Sequence, residues 1–166
     1  MALIASAFPG NTLTHWPAYS SLLGSGIGAK DIGFAVAGGD VARFAARYRV
    51  ARSFQGIKLA GYTTDTVVGY DSLFRVFLMW SAFERFLRVV GQTQDSIEPQ
   101  LAPYKPQQCL AAIRAGDIGK TFYEFVAPRV NAEHKARISD FANNAPTNPT
   151  FLASAVRHLF AHGHLS

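Results

Sequence analysis

The chain has 166 residues, of which 49% are hydrophobic and 16% are charged, a composition typical of a folded globular protein and unlike a disordered one. The formal net charge of +5 favours acidic partners, nucleic acid among them. The single cysteine excludes an intrachain disulfide and a cysteine-rich metal site. No apolar stretch reaches the roughly eighteen residues of a membrane span, and the start lacks the basic region of a signal peptide. We therefore expect a cytoplasmic protein.

The beginning of the chain differs in composition from the rest. Residues 1–33 are rich in Gly, Ser, Thr and Pro, which predicts an irregular N-terminal arm. Residues 34–166 are predicted to form a single helical domain. The 13 Phe and 6 Tyr in a chain with so few charges indicate an apolar surface covered by a partner, and a homodimer is the expected form.

Two helices are predicted in the first half of this domain. The first begins at Asp40, a good N-cap. Residues 51–69 are ambiguous between loop and extended structure. The second helix, from Asp71 or Ser72 to Val90, is apolar on nearly all sides and should therefore be central and buried, with Gly91 as its stop.

Glu84 lies inside the apolar run of this second helix. A buried carboxylate needs a partner. One interpretation is a surface ion pair with Arg88, four residues further on. The other is that Glu84 reaches across the core and orients a base or a cation.

In the second half of the chain, apolar residues at helical spacing predict further helices. Residues 95–106 form a proline-rich linker, followed by short helices over about 107–114 and 117–126. Asn131 caps a more polar helix that reaches about residue 143. We expect His134 on this helix to be solvated. The single cysteine, Cys109, has apolar neighbours and is expected to be a buried, inert thiol. The predicted fold class is all-α, an irregular four- to six-helix bundle.

The last helix carries the most informative residues. Asn148 and Pro149 start it, and Gly163 ends it. It contains Arg157 and His158, and His162 and His164 follow near its end. His158 and His162 should share a face, about 40° apart around the axis, whereas Arg157 and His162 are about 140° apart. Histidine titrates near neutral pH and arginine binds phosphate bidentately, so the cluster has the chemistry required to act on a phosphodiester.

This cluster resembles the signature of HEPN domains, in which four to six residues separate an arginine from a histidine and the first of these residues is polar. Arg157, His158 and His162 stand at these positions, although Asn or Asp is commoner where this chain has His158. The segment Trp80-Ser81-Ala82-Phe83-Glu84 is similar to an earlier helix of that fold. The resemblance implies a small all-α bundle, and for many members a metal-independent endoribonuclease that acts as a dimer, often in toxin–antitoxin or defence systems.

The resemblance also implies roles for individual residues. His162 would be the general base or acid, and Arg157 would hold the phosphate. His158 would orient His162 or contact RNA, and Glu84 would position Arg157 or an imidazole. Neither a metal nor another cofactor is implied. The implied partners are RNA, a second copy of the chain and an antitoxin-like protein.

Three other interpretations of the cluster stay open. The chain could be a non-catalytic dimerisation module, or one that binds RNA or a protein, in which these polar groups belong to an interface. His158, His162 and His164 could bind Zn²⁺, although no acidic residue stands between them. The histidines could also be solvated groups that the dipole at a helix C-terminus stabilises.

Overall fold

The computed structural model describes Leu13 and residues 15–162, and all regular secondary structure in this part of the chain is helical. The all-α prediction is confirmed. The α-helices are α1 (Trp16–Gly24), α2 (Gly38–Ser53), α3 (Thr64–Val90), α4 (Pro106–Gly116), α5 (Thr121–Val126), α6 (Ala132–Ala142) and α7 (Thr150–Ala161). Short 3₁₀ helices occupy Lys30–Ile32, Glu98–Tyr104, Ile118–Lys120 and Ala127–Arg129.

The chain divides into two compact units, an N-terminal unit that ends at Gln92 and a C-terminal unit that begins at Thr93. The boundary predicted after residue 33 is not where the structure divides. Tyr19 and Ala29, from the predicted arm, pack with Val41 and Val89 in one hydrophobic cluster. The prediction of irregular structure is wrong over α1. The apolar side chains of this helix pack into the cluster, and this packing stabilises the helix despite the glycines near its end. Residues 1–12 of the predicted arm lie outside the described residues.

Helices α2 and α3 form an antiparallel pair in the N-terminal unit. The Arg47 guanidinium, on α2, donates to the carbonyl and hydroxyl oxygens of Ser81, on α3. Further along, Arg85 of α3 bonds to Asp40 near the start of α2, at 3.4 Å. Because residues early in one helix meet residues late in the other, the two helices run in opposite directions.

Helix α3 begins earlier than its sequence predicts. The hydroxyl of Thr63 accepts a hydrogen bond from the backbone N–H of Thr66, which caps the helix before the ambiguous segment ends. The predicted cap, Asp71, lies within the helix and has another role. Its carboxylate accepts from the backbone N–H of Ile57 and from the Arg75 guanidinium, so it holds the preceding loop against α3.

The prediction that α3 is buried on nearly all sides is wrong. Trp80, Ala82, Leu87 and Val89 are buried, whereas Met79 is 45% exposed. Glu84 is exposed to solvent and forms no ion pair with Arg88 within the described part of the chain. Among the described residues of the N-terminal unit, α1 and α2 are the only other α-helices, and they are too short to cover all the apolar surface of a helix of 27 residues.

Gly91 ends α3, as predicted. Its φ of 68° lies in the left-handed region, and its N–H bonds to the carbonyl oxygens of Leu87 and Arg88. A Cβ at this position would also lie 2.9 Å from the Cβ of Ala35, whose N–H donates to the Val89 carbonyl. Both the backbone conformation and the close approach of a neighbouring segment therefore require glycine.

The C-terminal unit has a small, closed core. Its members come from α4, α5, α6 and α7 and are at most 6% exposed: Leu110, Val126, Ile138, Phe141, Leu152, Ala155 and Leu159. Helices α6 and α7 present their members at helical spacing, and α4 and α5 contribute one residue each. The four helices therefore bury one shared interior.

The prediction that Cys109, on α4, is buried is wrong. Leu110 is fully buried, and Cys109 beside it is exposed. Adjacent residues on a helix point about 100° apart, so apolar neighbours in the sequence do not indicate that both are buried.

Asparagine side chains hold the starts of α6 and α7. The Asn131 side chain accepts from the His134 backbone N–H at 2.9 Å, as predicted for an N-cap. The Asn148 side chain, nearly inaccessible, accepts from the Thr150 backbone N–H at 3.0 Å and donates to the Gln94 carbonyl. Pro149 is the N-cap of α7, so Asn148 forms a turn directly before the cap and ties the start of α7 to the segment that opens this unit.

In the part of the chain that the structure describes, every helix is too short or too polar to span a bilayer.

Candidate functional site

Helix α7 has a buried face that fixes its orientation. Phe151, Leu152, Ala155, Val156 and Leu159 are buried. The polar residues lie around this face. Arg157 and His158 are half-buried, and His162, the residue that follows the last turn, is exposed. These candidate site residues are therefore held by a packed helix and keep contact with solvent.

His158 and His162 lie next to each other. Their ring centroids are 4.3 Å apart, and the His162 backbone N–H donates to the His158 carbonyl at 3.1 Å. The spacing of four residues predicted that these side chains share a face, and this part of the prediction is confirmed. Two imidazoles at this distance can act together, because one ring can accept a proton while the other gives one.

A third imidazole extends this pair. The His134 ring, on α6, lies 5.7 Å from the His158 ring, centroid to centroid. The expectation that His134 is solvated is wrong, because the ring is half-buried and packs edge-on against Phe151 at 6.3 Å. Its position between α6 and α7 is a tertiary contact. The structure therefore places three imidazoles in a row, which we call the histidine row: His134, His158 and His162.

Both ring nitrogens of His134 have partners. Nδ1 lies 2.8 Å from the Asn131 Oδ1, and Nε2 lies 2.8 Å from the Ser154 Oγ. Asn131 Oδ1 also accepts from a backbone N–H, which identifies it as the amide oxygen. An amide oxygen has no proton to donate, so it accepts from the ring as well. In the neutral ring Nδ1 then carries the proton, and the Ser154 hydroxyl donates to Nε2.

The environment of His134 favours the neutral ring. Burial lowers its pKa below the ordinary value. The neighbouring Glu133 carboxylate acts in the opposite direction and raises the pKa, and the Arg157 guanidinium lowers it again. His134 is therefore uncharged at neutral pH, and Arg157 is close enough for its charge to affect the ring.

The order Ser154, His134, Asn131 is also the hydrogen-bond order of a nucleophilic relay. Ser154, however, stands in the middle of α7 and is only 9% exposed. A substrate carbonyl could not approach its oxygen without unfolding the helix around it. We therefore assign these bonds to the attachment of α6 to α7, which holds His134 beside Arg157.

Arg157 has an available guanidinium. Within the described residues it forms no ion pair and no side-chain hydrogen bond. An arginine without a carboxylate partner can bind an anion through two parallel N–H bonds. The histidine row and Arg157 thus combine an anion-binding group with proton carriers in the same unit.

The remaining sequence-predicted site residue is in the other unit. Glu84 lies on α3, exposed, and its role in positioning Arg157 or an imidazole stays a prediction. Conversely, sequence reasoning missed His134. The local signal was present in part, since Asn131 is an N-cap three residues earlier. Its contact with Ser154, twenty residues further on, has no local signal.

The described residues do not support the alternative of a zinc site. The described part of the chain contains no group of three or more His, Cys, Asp or Glu side chains that could hold a metal. His164, the third ligand of that interpretation, lies outside the described residues.

Comparison with known proteins found no relative. No family model, no curated protein and no solved structure matches the chain.

Proposed function

We propose that this protein is a metal-independent endoribonuclease of HEPN type that uses Arg157 and His162. The observation that supports the proposal is the histidine row beside Arg157, a half-buried arginine that forms no ion pair with any described residue. RNA carries its own nucleophile, the 2′-hydroxyl. The protein therefore needs only to move protons and to stabilise charge on the phosphate.

In this proposal His162 exchanges a proton with the RNA, because it is the most exposed ring of the row. His158, 4.3 Å away, orients His162 or passes a proton to it. Arg157 binds the phosphate oxygens as their negative charge increases. His134, held neutral by burial and held in place by its two hydrogen bonds, is a positioning residue that supports His158 and does not touch the RNA.

The reaction closes a ring on the RNA. The 2′-oxygen loses its proton to one imidazole and attacks phosphorus, and the 5′-oxygen of the next nucleotide leaves with a proton from another. The products carry a 2′,3′-cyclic phosphate and a 5′-hydroxyl.

The proposal includes a homodimer, a cytoplasmic location and a toxin–antitoxin role with a protein partner. Exposed apolar side chains in the C-terminal unit, Ile118 and Phe125, support an interface. The charge of +5 supports RNA as the ligand.

The test is cleavage of a mixed RNA pool by purified protein in the presence of a chelator. Wild type should produce cyclic-phosphate ends, and a 2′-deoxy substitution at the scissile position should block cleavage. His162→Ala and Arg157→Gln should each reduce the rate by about 10²–10⁴. Arg52→Gln, which removes an exposed arginine of α2, should leave the rate unchanged and serves as the charge-matched control.

Two outcomes would contradict the proposal. Equal cleavage by wild type and His162→Ala would assign the activity to another site or to a contaminant. Binding of RNA without any cleavage would favour the non-catalytic module, especially if Arg157→Gln weakened the binding.

A further inference from the structure

A second arginine lies at the far end of the histidine row. Arg137 stands on α6 three residues after His134, and its guanidinium lies over the Phe151 ring, 4.6 Å from the ring centroid. The His134 ring packs edge-on against the same phenylalanine. Phe151 therefore connects Arg137 to the row. The cationic and imidazole groups follow the junction of α6 and α7 from His162, near the end of α7, to Arg137, near its start.

Arg137 is held in place and keeps contact with solvent. Phe151 is 2% exposed, so the ring under the guanidinium is fixed by the core. The Arg137 side chain itself is 38% exposed. A planar guanidinium that already rests on a fixed ring loses little further freedom when it binds a phosphate. Arg137 is therefore preorganised to bind an anion that approaches from solvent.

The present partner of Arg137 can be replaced. Its Nη2 lies 3.3 Å from a carboxylate oxygen of Asp95, whose side chain is 67% exposed. Exposed ion pairs of this kind contribute little to stability. A phosphate offers two oxygens to the guanidinium and forms short, charge-assisted hydrogen bonds. A phosphate can therefore compete with Asp95 for Arg137.

The length of α7 indicates which kind of ligand could use the whole row. Phe151 and His162, which mark the two ends, are about 16 Å apart along the helix axis. A helical nucleic-acid strand carries one phosphate about every 3.4 Å, and an extended strand has a longer step. A single phosphate cannot reach both ends, whereas a strand of several nucleotides can.

We propose that Arg137 binds a second phosphate of the RNA, away from the one that Arg157 binds, so that the substrate is a strand of several nucleotides along the junction of α6 and α7. This inference rests on the proposed nuclease function and names its substrate class. Arg137 contacts the RNA at a distance from the reacting atoms. A dinucleotide substrate therefore gains nothing from it.

The first experiment measures binding without cleavage. The probe is a fluorescent octanucleotide of 2′-O-methyl RNA, which lacks the nucleophile, and its anisotropy is followed with the full chain at several salt concentrations. Arg137→Gln should weaken binding about 3- to 10-fold. It should also reduce the slope of log Kd against log salt by about 0.7, the contribution of one phosphate on a single strand. Arg52→Gln, on α2, is the charge-matched control and should keep the wild-type affinity and slope.

A second variant separates RNA binding from a structural role of the ion pair. Asp95→Asn removes the competing carboxylate and should tighten binding about two- to fivefold, in the opposite direction to Arg137→Gln. A purely structural pair would instead give a lower Tm in both variants and an unchanged salt slope. Because Asp95 is exposed, its substitution keeps the test open if circular dichroism shows that Arg137→Gln does not fold.

Cleavage then tests the length requirement. The substrates are a dinucleotide with one ribose and an octanucleotide with a single ribonucleotide at its centre among 2′-deoxynucleotides. Arg137→Gln should lower kcat/KM for the octanucleotide about 3- to 10-fold and leave the value for the dinucleotide unchanged.

The inference is overturned if wild type does not bind the octanucleotide, if folded Arg137→Gln binds as wild type does, or if Asp95→Asn weakens binding. Equal losses of kcat/KM on both substrates would also overturn it. Absence of cleavage on either substrate would contradict the nuclease function, and the binding measurements would then decide by themselves whether Arg137 contacts RNA.

Discussion

The two units of this protein bury their apolar residues in different ways. The C-terminal unit closes a mostly aliphatic core in which Leu110, Val126, Ile138 and Ala155 have no measurable exposure. The N-terminal unit arranges aromatic rings around a cavity of about 410 Å³ and leaves residues such as Met79 exposed on its long helix. The packed core of the C-terminal unit holds the histidine row in place, whereas the rings of the N-terminal unit leave a cavity between them.

The sharpest way to test this comparison is to remove one phenylalanine from each unit. Phe141 is 1% exposed and packs against Phe122 and under the Arg114 guanidinium, so Phe141→Ala should reduce the free energy of unfolding by about 3–5 kcal/mol. Phe44 is half-buried beside the cavity, so Phe44→Ala should cost roughly half as much. Chemical denaturation of the full chain measures both. Equal costs would show that the cavity does not loosen the packing around Phe44.

A smaller effect is expected at the end of the long helix. Gly91→Ala forces a side chain into a left-handed conformation and against Ala35, and should cost about 1–3 kcal/mol of stability. Gly69→Ala is the control, because it lies within the same helix with nothing inside 4 Å of its added Cβ. It should stabilise the chain by roughly 0.5–1 kcal/mol. Chemical denaturation measures both changes. If both substitutions changed the free energy of unfolding in the same direction, the special role of Gly91 would be contradicted.

The smallest expected effect is a pH dependence that belongs to the C-terminal unit. His134 has a folded-state pKa below its unfolded value of about 6.5. The unfolded chain therefore binds the proton more readily, and stability is full above pH 6.5 and falls as the pH decreases toward the folded pKa. The groups that face the ring are Glu133, Arg157 and His158.

Thermal unfolding between pH 7.5 and 5 measures this dependence. His134→Gln, which removes the titrating group, should reduce the decrease in Tm across this interval relative to wild type. Lys135→Gln changes an exposed neighbour on α6 and should leave the slope as it is. If His134→Gln shows the wild-type slope, another group is responsible.

Much of the helical framework could be predicted from short stretches of sequence. Asn131 was recognisable as a cap and Gly91 as a stop, since each acts on residues within four positions. The start of α3 was placed too late because Thr63 is a less conspicuous cap than Asp71, and Asp71 is used by a loop fourteen residues earlier. For the site, the pairing of His158 with His162 followed from helical periodicity alone.

The sequence by itself determined the all-α class and the adjacency of two imidazoles, because hydrogen bonds and helical spacing act within one or two turns. Only the tertiary structure decided which distant groups meet. It placed His134 between Ser154 and the other imidazoles, and it assembled the aromatic cavity around Tyr19 from three helices and a connecting segment. Such contacts depend on how the helices pack, and the packing depends on the combined shapes of many side chains. These shapes produce no periodic pattern in the sequence.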